Sequence, residues 1–122
     1  MRKILFFLLF ISSQLLFSQN TNYEKFEKEY SLGNMRQALN YLEKSLDANE
    51  QDKMVLYQKL GEVNSRLKNY KESAIYYENM LQLMNENNDL GELYYIIGTN
   101  YYFSQEYTKG IEYLLKLSLI HI

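Results

Sequence analysis

The chain of 122 residues contains no cysteine, no proline and a single histidine. Without cysteine there are no disulfides, no thiolate metal sites and no lipidated amino-terminal cysteine. Without proline nothing interrupts a long helix, so an all-α fold in one domain is expected. His121 is the one imidazole, which leaves acid–base and nucleophilic chemistry of the usual kind without a candidate. No glycine-rich phosphate loop, Walker-type motif or dinucleotide fingerprint occurs. The acid pairs Glu24/Glu27 and Glu27/Glu29 fall on a charged helical face, where solvation is the default role. The expectation is a chain with no catalytic, cofactor-binding or metal-binding residues, and not an enzyme. Basic residues are also short, 13 against 15 acidic for a net charge of −2, and no basic face is evident, so nucleic-acid binding is not expected.

What is abundant is tyrosine, 13 residues of it in a chain that is 47% apolar. Its ring suits positions where one edge is buried while the hydroxyl reaches water, as thin two-layer helical stacks require. The amino terminus has a different composition. Arg2 and Lys3 precede an unbroken apolar run from Ile4 to Ile11, followed by Ser12, Ser13, Gln14, Leu15 to Phe17 and Ser18. That order of charged, apolar and small residues predicts a secretory signal peptide over 1–18, with export and cleavage after Ser18, although Leu16 occupies a place usually given to a small residue. The alternative is an uncleaved amino-terminal anchor. The run is shorter than the roughly 20 residues that cross a bilayer, and no membrane span is expected in the segment.

Beyond residue 20 the pattern repeats. Leu60-Gly61, Tyr70, Ser73-Ala74, Tyr77 and Leu81 return 37 residues later as Ile97-Gly98, Tyr107, Gly110-Ile111 and Leu114. Going back by 35 residues, Met35, Ala38-Leu39, Leu42 and Leu46 fall on Tyr70, Ser73-Ala74, Tyr77 and Leu81. A period of this size predicts stacked units, because one helix pair cannot bury its own apolar face alone. Within the middle unit, Val55 to Leu67 and Tyr70 to Met84 carry apolar residues three and four apart, with Lys68-Asn69 as a polar turn between two helices. Asn34 with Gln37, Asn69 with Glu72 and Asp89 with Glu92 have the spacing of capping pairs. Gly61 and Gly98 sit inside helices at a cost of about 0.5 to 1 kcal/mol, which predicts close approach of the paired helix at the small positions Ser73 and Gly110. Leu60, Tyr70, Tyr77 and Leu81 are expected to pack around that contact.

These residues resemble the tetratricopeptide repeat. "YQKLGEVNSRLKNYKESAIYYENML" carries Leu60-Gly61, Tyr70, Ser73, Tyr77 and Leu81 at consensus places, and "YYIIGTNYYFSQEYTKGIEYLLK" carries Ile97-Gly98, Tyr101, Tyr107, Gly110 and Leu114. A leading unit is degenerate, keeping Gly33, Ala38, Leu42 and Leu46 while Lys25-Phe26 replaces the first-helix pair. The consensus proline is missing throughout. The resemblance implies about three units, over 22–49, 52–85 and 89–116, arranged as stacked antiparallel helix pairs in a right-handed α-solenoid. It further implies a concave groove lined by first helices, where the candidate partner-binding residues are Tyr23, Tyr30, Gln58, Glu62, Ser65, Tyr95, Thr99 and Tyr102. Such a surface is aromatic and slightly acidic. Lysine and asparagine, which clamp a peptide carboxylate in some relatives, are absent from the matching positions. For Tyr95 and Tyr102 the alternative is packing against a following repeat.

The expected role is thus an exported scaffold that holds a peptide or protein partner. The stretch Met84 to Leu90 lengthens the second unit, as in sensor kinases and transcriptional regulators, so the alternative is the sensory part of a longer signalling protein. Residues 117–122, "LSLIHI", resemble the translation of a transposon-derived sequencing adapter, which would make them a library artefact on a truncated gene.

Overall fold

A computed structural model describes residues 21–85 and 89–120. The expected signal peptide over 1–18, His121 and the middle of the Met84 to Leu90 stretch lie outside the described residues. Among those described there are six helices and no strand: α1 (Asn22–Ser31), α2 (Met35–Asp47), α3 (Lys53–Arg66), α4 (Tyr70–Leu83), α5 (Gly91–Phe103) and α6 (Tyr107–Ile120). The fold is all-α. The two helices read from periodicity in the middle of the chain lie within two residues of α3 and α4 at every end.

The described residues fall into two compact units, divided after Glu50. In the first, α1 packs on α2. Phe26, Ala38 and Leu42 are buried there, and the Phe26 ring stands between those of Tyr23 and Tyr30, at 5.4 and 5.7 Å. Glu50 closes the pair by accepting from the Tyr23 backbone amide at 2.9 Å and from Asn22 Nδ2 at 3.1 Å. Its burial pushes the carboxyl up, but those bonds together outweigh it and hold Glu50 below its usual 4.5.

In the second unit α3 packs on α4, α4 on α5 and α5 on α6. Ala74, Tyr77, Leu93, Ile97 and Tyr101 form its core, with Met80, Leu81, Met84, Ile96 and Tyr113 packed against them. The helix pairs are held at two distances by different devices. A Cβ on Gly61 would lie 2.5 Å from the Tyr77 ring, so α3 makes room for an aromatic plate, and Ser73 Oγ donates to the Gly61 carbonyl at 2.8 Å. A Cβ on Gly98 would lie 3.0 Å from the Gly110 carbonyl oxygen, and one on Gly110 would lie 2.9 Å from that of Gly98. There α5 and α6 touch backbone to backbone.

Among the described residues one turn occurs four times. Gly33, Asn49, Lys68 and Gln105 all have positive φ, at 80°, 52°, 64° and 70°. In each case this residue's amide bonds the carbonyl three residues back and the next amide bonds the carbonyl five residues back, as in Gly33 to Tyr30 and Asn34 to Glu29, or Lys68 to Ser65 and Asn69 to Asn64. That double bond satisfies carbonyls left open at a helix end.

This turn overrides the expected capping pairs. Asn34 and Asn69 begin α2 and α4 but their side chains cap nothing. Asn34 Nδ2 donates back to Glu29 at 2.8 Å and Asn69 Nδ2 back to Asn64 at 3.2 Å, because the three-residue turn aims them at the preceding helix. Asp89 Oδ1 does accept from the Gly91 amide, at 3.0 Å. Side-chain caps occur instead at Thr21, bonded to the Glu24 amide, and Asp52, bonded to the Met54 amide.

Candidate functional site

The second unit carries two clefts between the first helices of its pairs, α3 and α5. On α3 the residues Gln58, Glu62 and Ser65 recur at four and three residues, which places them along one flank. On α5 the same rule gathers Glu92, Ile96, Thr99 and Phe103. One cleft, of about 240 Å³, is lined by Gln58, Glu62, Asp89 and Glu92 together with Tyr77, Met80, Met84, Leu93 and Ile96. The other, of about 340 Å³, is lined by Glu62, Ser65 and Arg66 on α3 and by Ile96, Thr99, Asn100 and Phe103 on α5, with Tyr70 and Tyr77 from α4. Glu62, Tyr77 and Ile96 belong to both, so the clefts are contiguous.

The electrostatics differ from end to end. The smaller cleft has three carboxylates among its lining residues and no basic side chain. Lys59 Nζ reaches Glu62 from outside it at 3.7 Å, with both side chains about a third exposed at 37% and 33%, a weak pair in water. In the larger cleft Glu62 is matched by Arg66, and its wall is the Tyr70–Phe103 ring pair with centroids 5.3 Å apart. Burial, aided by the Glu62 charge, pushes the Tyr77 phenol up to about 12, so beneath both clefts it remains protonated at neutral pH. The Thr99 hydroxyl is engaged by its own helix, donating to the carbonyls of Tyr95 and Ile96 at 2.9 and 3.1 Å.

Four residues predicted from sequence, Gln58, Glu62, Ser65 and Thr99, line these clefts. Tyr95 and Tyr102 line neither and are 55% and 52% exposed; Tyr102 packs edge-on against Tyr107 with centroids 5.1 Å apart. Tyr23 and Tyr30 are half-buried in the other unit, beside Phe26. The displacement on α5 has a simple cause. Carrying the α3 positions forward by 37 residues reaches Tyr95, Thr99 and Tyr102, of which only Thr99 lies on the flank toward α3, whereas Ile96 and Phe103, one residue beyond the two tyrosines, lie on it with Thr99. Sequence reasoning passed over Glu92, Ile96 and Phe103 as groove residues, whose spacing with Thr99 was available as a signal, and over Met80.

Of the expected packing residues, Ala38, Leu42, Leu60 and Ile97 are fully buried, and Gly61, Ser73, Tyr77, Gly98 and Gly110 are buried. Leu81 and Leu114 are half-buried. Tyr70 is half-buried under Phe103, while Tyr107 at the equivalent place is 50% exposed, since no described helix follows α6 to cover it.

Among the described residues no group of three or more His, Cys, Asp or Glu side chains is arranged to hold a metal ion, and no helix is long and apolar enough to cross a membrane. Searched against protein-family models and against curated proteins, the sequence matches none.

Proposed function

We propose that this chain is an exported interaction module of the tetratricopeptide type, which seats a segment of a protein partner between the first helices of successive pairs and performs no chemistry of its own. The observation that carries this reading is the contiguous pair of clefts between α3 and α5, with an apolar and aromatic floor and polar rims. Clefts of this form accept side chains projecting from a peptide. Support for the solenoid comes from three helix pairs, the turn that recurs after α1, α2, α3 and α5, and the packing of α4 on both α3 and α5. Support for export is the signal-like composition of residues 1–18.

The test is selection from a displayed random-peptide library on the full chain. Peptides enriched on the wild type are expected to be lost on Phe103→Ala, at a residue 61% exposed and so tolerant of truncation, and retained on Tyr95→Ala/Tyr102→Ala. Enrichment indifferent to Phe103 would refute the groove. For export, the amino terminus of the secreted product is expected at Gln19, and an intact Met1 would sink that part.

A further inference from the structure

Resting on that reading of the groove, we infer that its partner segment is basic: a lysine or arginine enters the smaller cleft, and an adjacent aromatic or apolar residue enters the larger one. The smaller cleft has an apolar floor of Met80, Leu93 and Ile96 beneath the carboxylates of Glu62, Asp89 and Glu92. A long cationic side chain fits this layering, with its methylene stem along the floor and its charged head at the rim. Methionine suits the task because it adapts to either stem. No basic residue of the cleft competes for the three acids, and the Lys59–Glu62 contact at 3.7 Å is weak enough to yield to a better-placed cation. A negatively charged segment would meet these acids with no basic residue in the cleft lining to offset them. In the larger cleft Glu62 and Arg66 balance, so the Tyr70–Phe103 ring pair dominates and an uncharged ring or aliphatic group is the complementary occupant. Because the clefts share Glu62, Tyr77 and Ile96, both side chains can come from one short segment. The chain's net charge of −2 adds a weak attraction of the same sign.

The experiment uses the full chain and two labelled synthetic peptides, identical except that one has a Lys-Lys-Phe core and the other Glu-Glu-Phe, with binding followed by fluorescence anisotropy. The lysine peptide is expected to bind at least tenfold more tightly, and its affinity to fall as salt is raised. Glu62→Gln/Glu92→Gln, both away from the core, is expected to weaken it roughly three- to tenfold, the loss of two partly exposed ion pairs, with circular dichroism unchanged. Equal binding of the two peptides, or an unchanged affinity in the double variant, overturns the basic class. If Phe103→Ala then still weakens both peptides, the groove reading survives that outcome. If neither peptide binds the wild type, or Phe103→Ala leaves binding unaltered, the groove reading falls as well.

Discussion

Glu78 joins three helices of the second unit, and its removal should be costly. It projects from α4 and accepts from two tyrosines on successive helices, Tyr101 of α5 and Tyr113 of α6, the latter at 2.6 Å. Tyr101 is 1% exposed, so its hydroxyl has little access to replacement water. Burial, together with the hydrogen bond to Glu78, pushes both phenols well above the ordinary 10, so at neutral pH both remain donors to the carboxylate. A hydrogen bond to a charged acceptor contributes about 1.5 to 3 kcal/mol. Discounting the half-buried Tyr113 bond for solvent, Glu78→Ala should cost about 2 to 4 kcal/mol. At about 4 to 8 °C per kcal/mol for a domain of this size, the melting temperature should drop by at least about 8 °C. Glu78→Gln keeps one acceptor oxygen and should cost roughly half as much. Urea unfolding followed by circular dichroism measures each difference. A double-mutant cycle sharpens the assignment, since in a Tyr101→Phe/Tyr113→Phe background no phenol is stranded and the Glu78→Ala cost should shrink to a few tenths of a kcal/mol. A wild-type-background cost below about 0.5 kcal/mol, or an undiminished cost in the phenylalanine background, would refute the idea that this carboxylate ties the three helices together.

The same unfolding assay reaches the other devices. Gly61→Ala gains helix propensity worth about 1 kcal/mol but drives a methyl into the Tyr77 ring, so a net loss of about 1 to 2 kcal/mol is expected, relieved when Tyr77→Leu is added; a stabilised single variant would contradict the packing argument. Lys68→Gly and Gln105→Gly, at φ of 64° and 70°, should each stabilise by about 0.5 to 1 kcal/mol, whereas Lys68→Val should destabilise. Glu50, held below its usual 4.5, adds stability that is present above that value and is lost as pH falls through the lowered one; Glu50→Gln should therefore cost about 1 kcal/mol at neutral pH and remove part of the acid sensitivity below pH 4.5. At the other extreme the raised phenols favour the folded state while protonated, so stability should decline between pH 10 and about 12 as unfolded tyrosines ionise first; phenolate absorbance rising in step with solvent-exposed tyrosine alone, before unfolding, is the expected signature.

What could be read from sequence follows from how far each feature's causes extend along the chain. Helix spans depend on periodic burial within about four residues, and the reading of Val55–Leu67 and Tyr70–Met84 lies close to α3 and α4. The glycines are legible for a related reason, since Gly98 against Gly110 is a contact between neighbours in the repeat. Caps were misread because two local signals compete at one residue. Asn34 both precedes α2 and completes the turn that ends α1, and the backbone bond from its amide to Glu29 turns its side chain backward. Exposure is less legible still. Tyr70 and Tyr107 occupy the same place in the period, yet one lies under Phe103 while the other has half its surface open, because coverage is set by the next pair and not by the residue's own. The groove inherits this limit. On α5 one flank meets α3 at the clefts while Tyr95 and Tyr102 lie off it, so positions copied from α3 by the period reach Thr99 but miss Ile96 and Phe103. Shifted by one residue from Tyr95 and Tyr102 to Ile96 and Phe103, the same periodic argument arrives at the face where α5 meets the clefts, on the same helix as Glu92 and opposite Glu62 of α3.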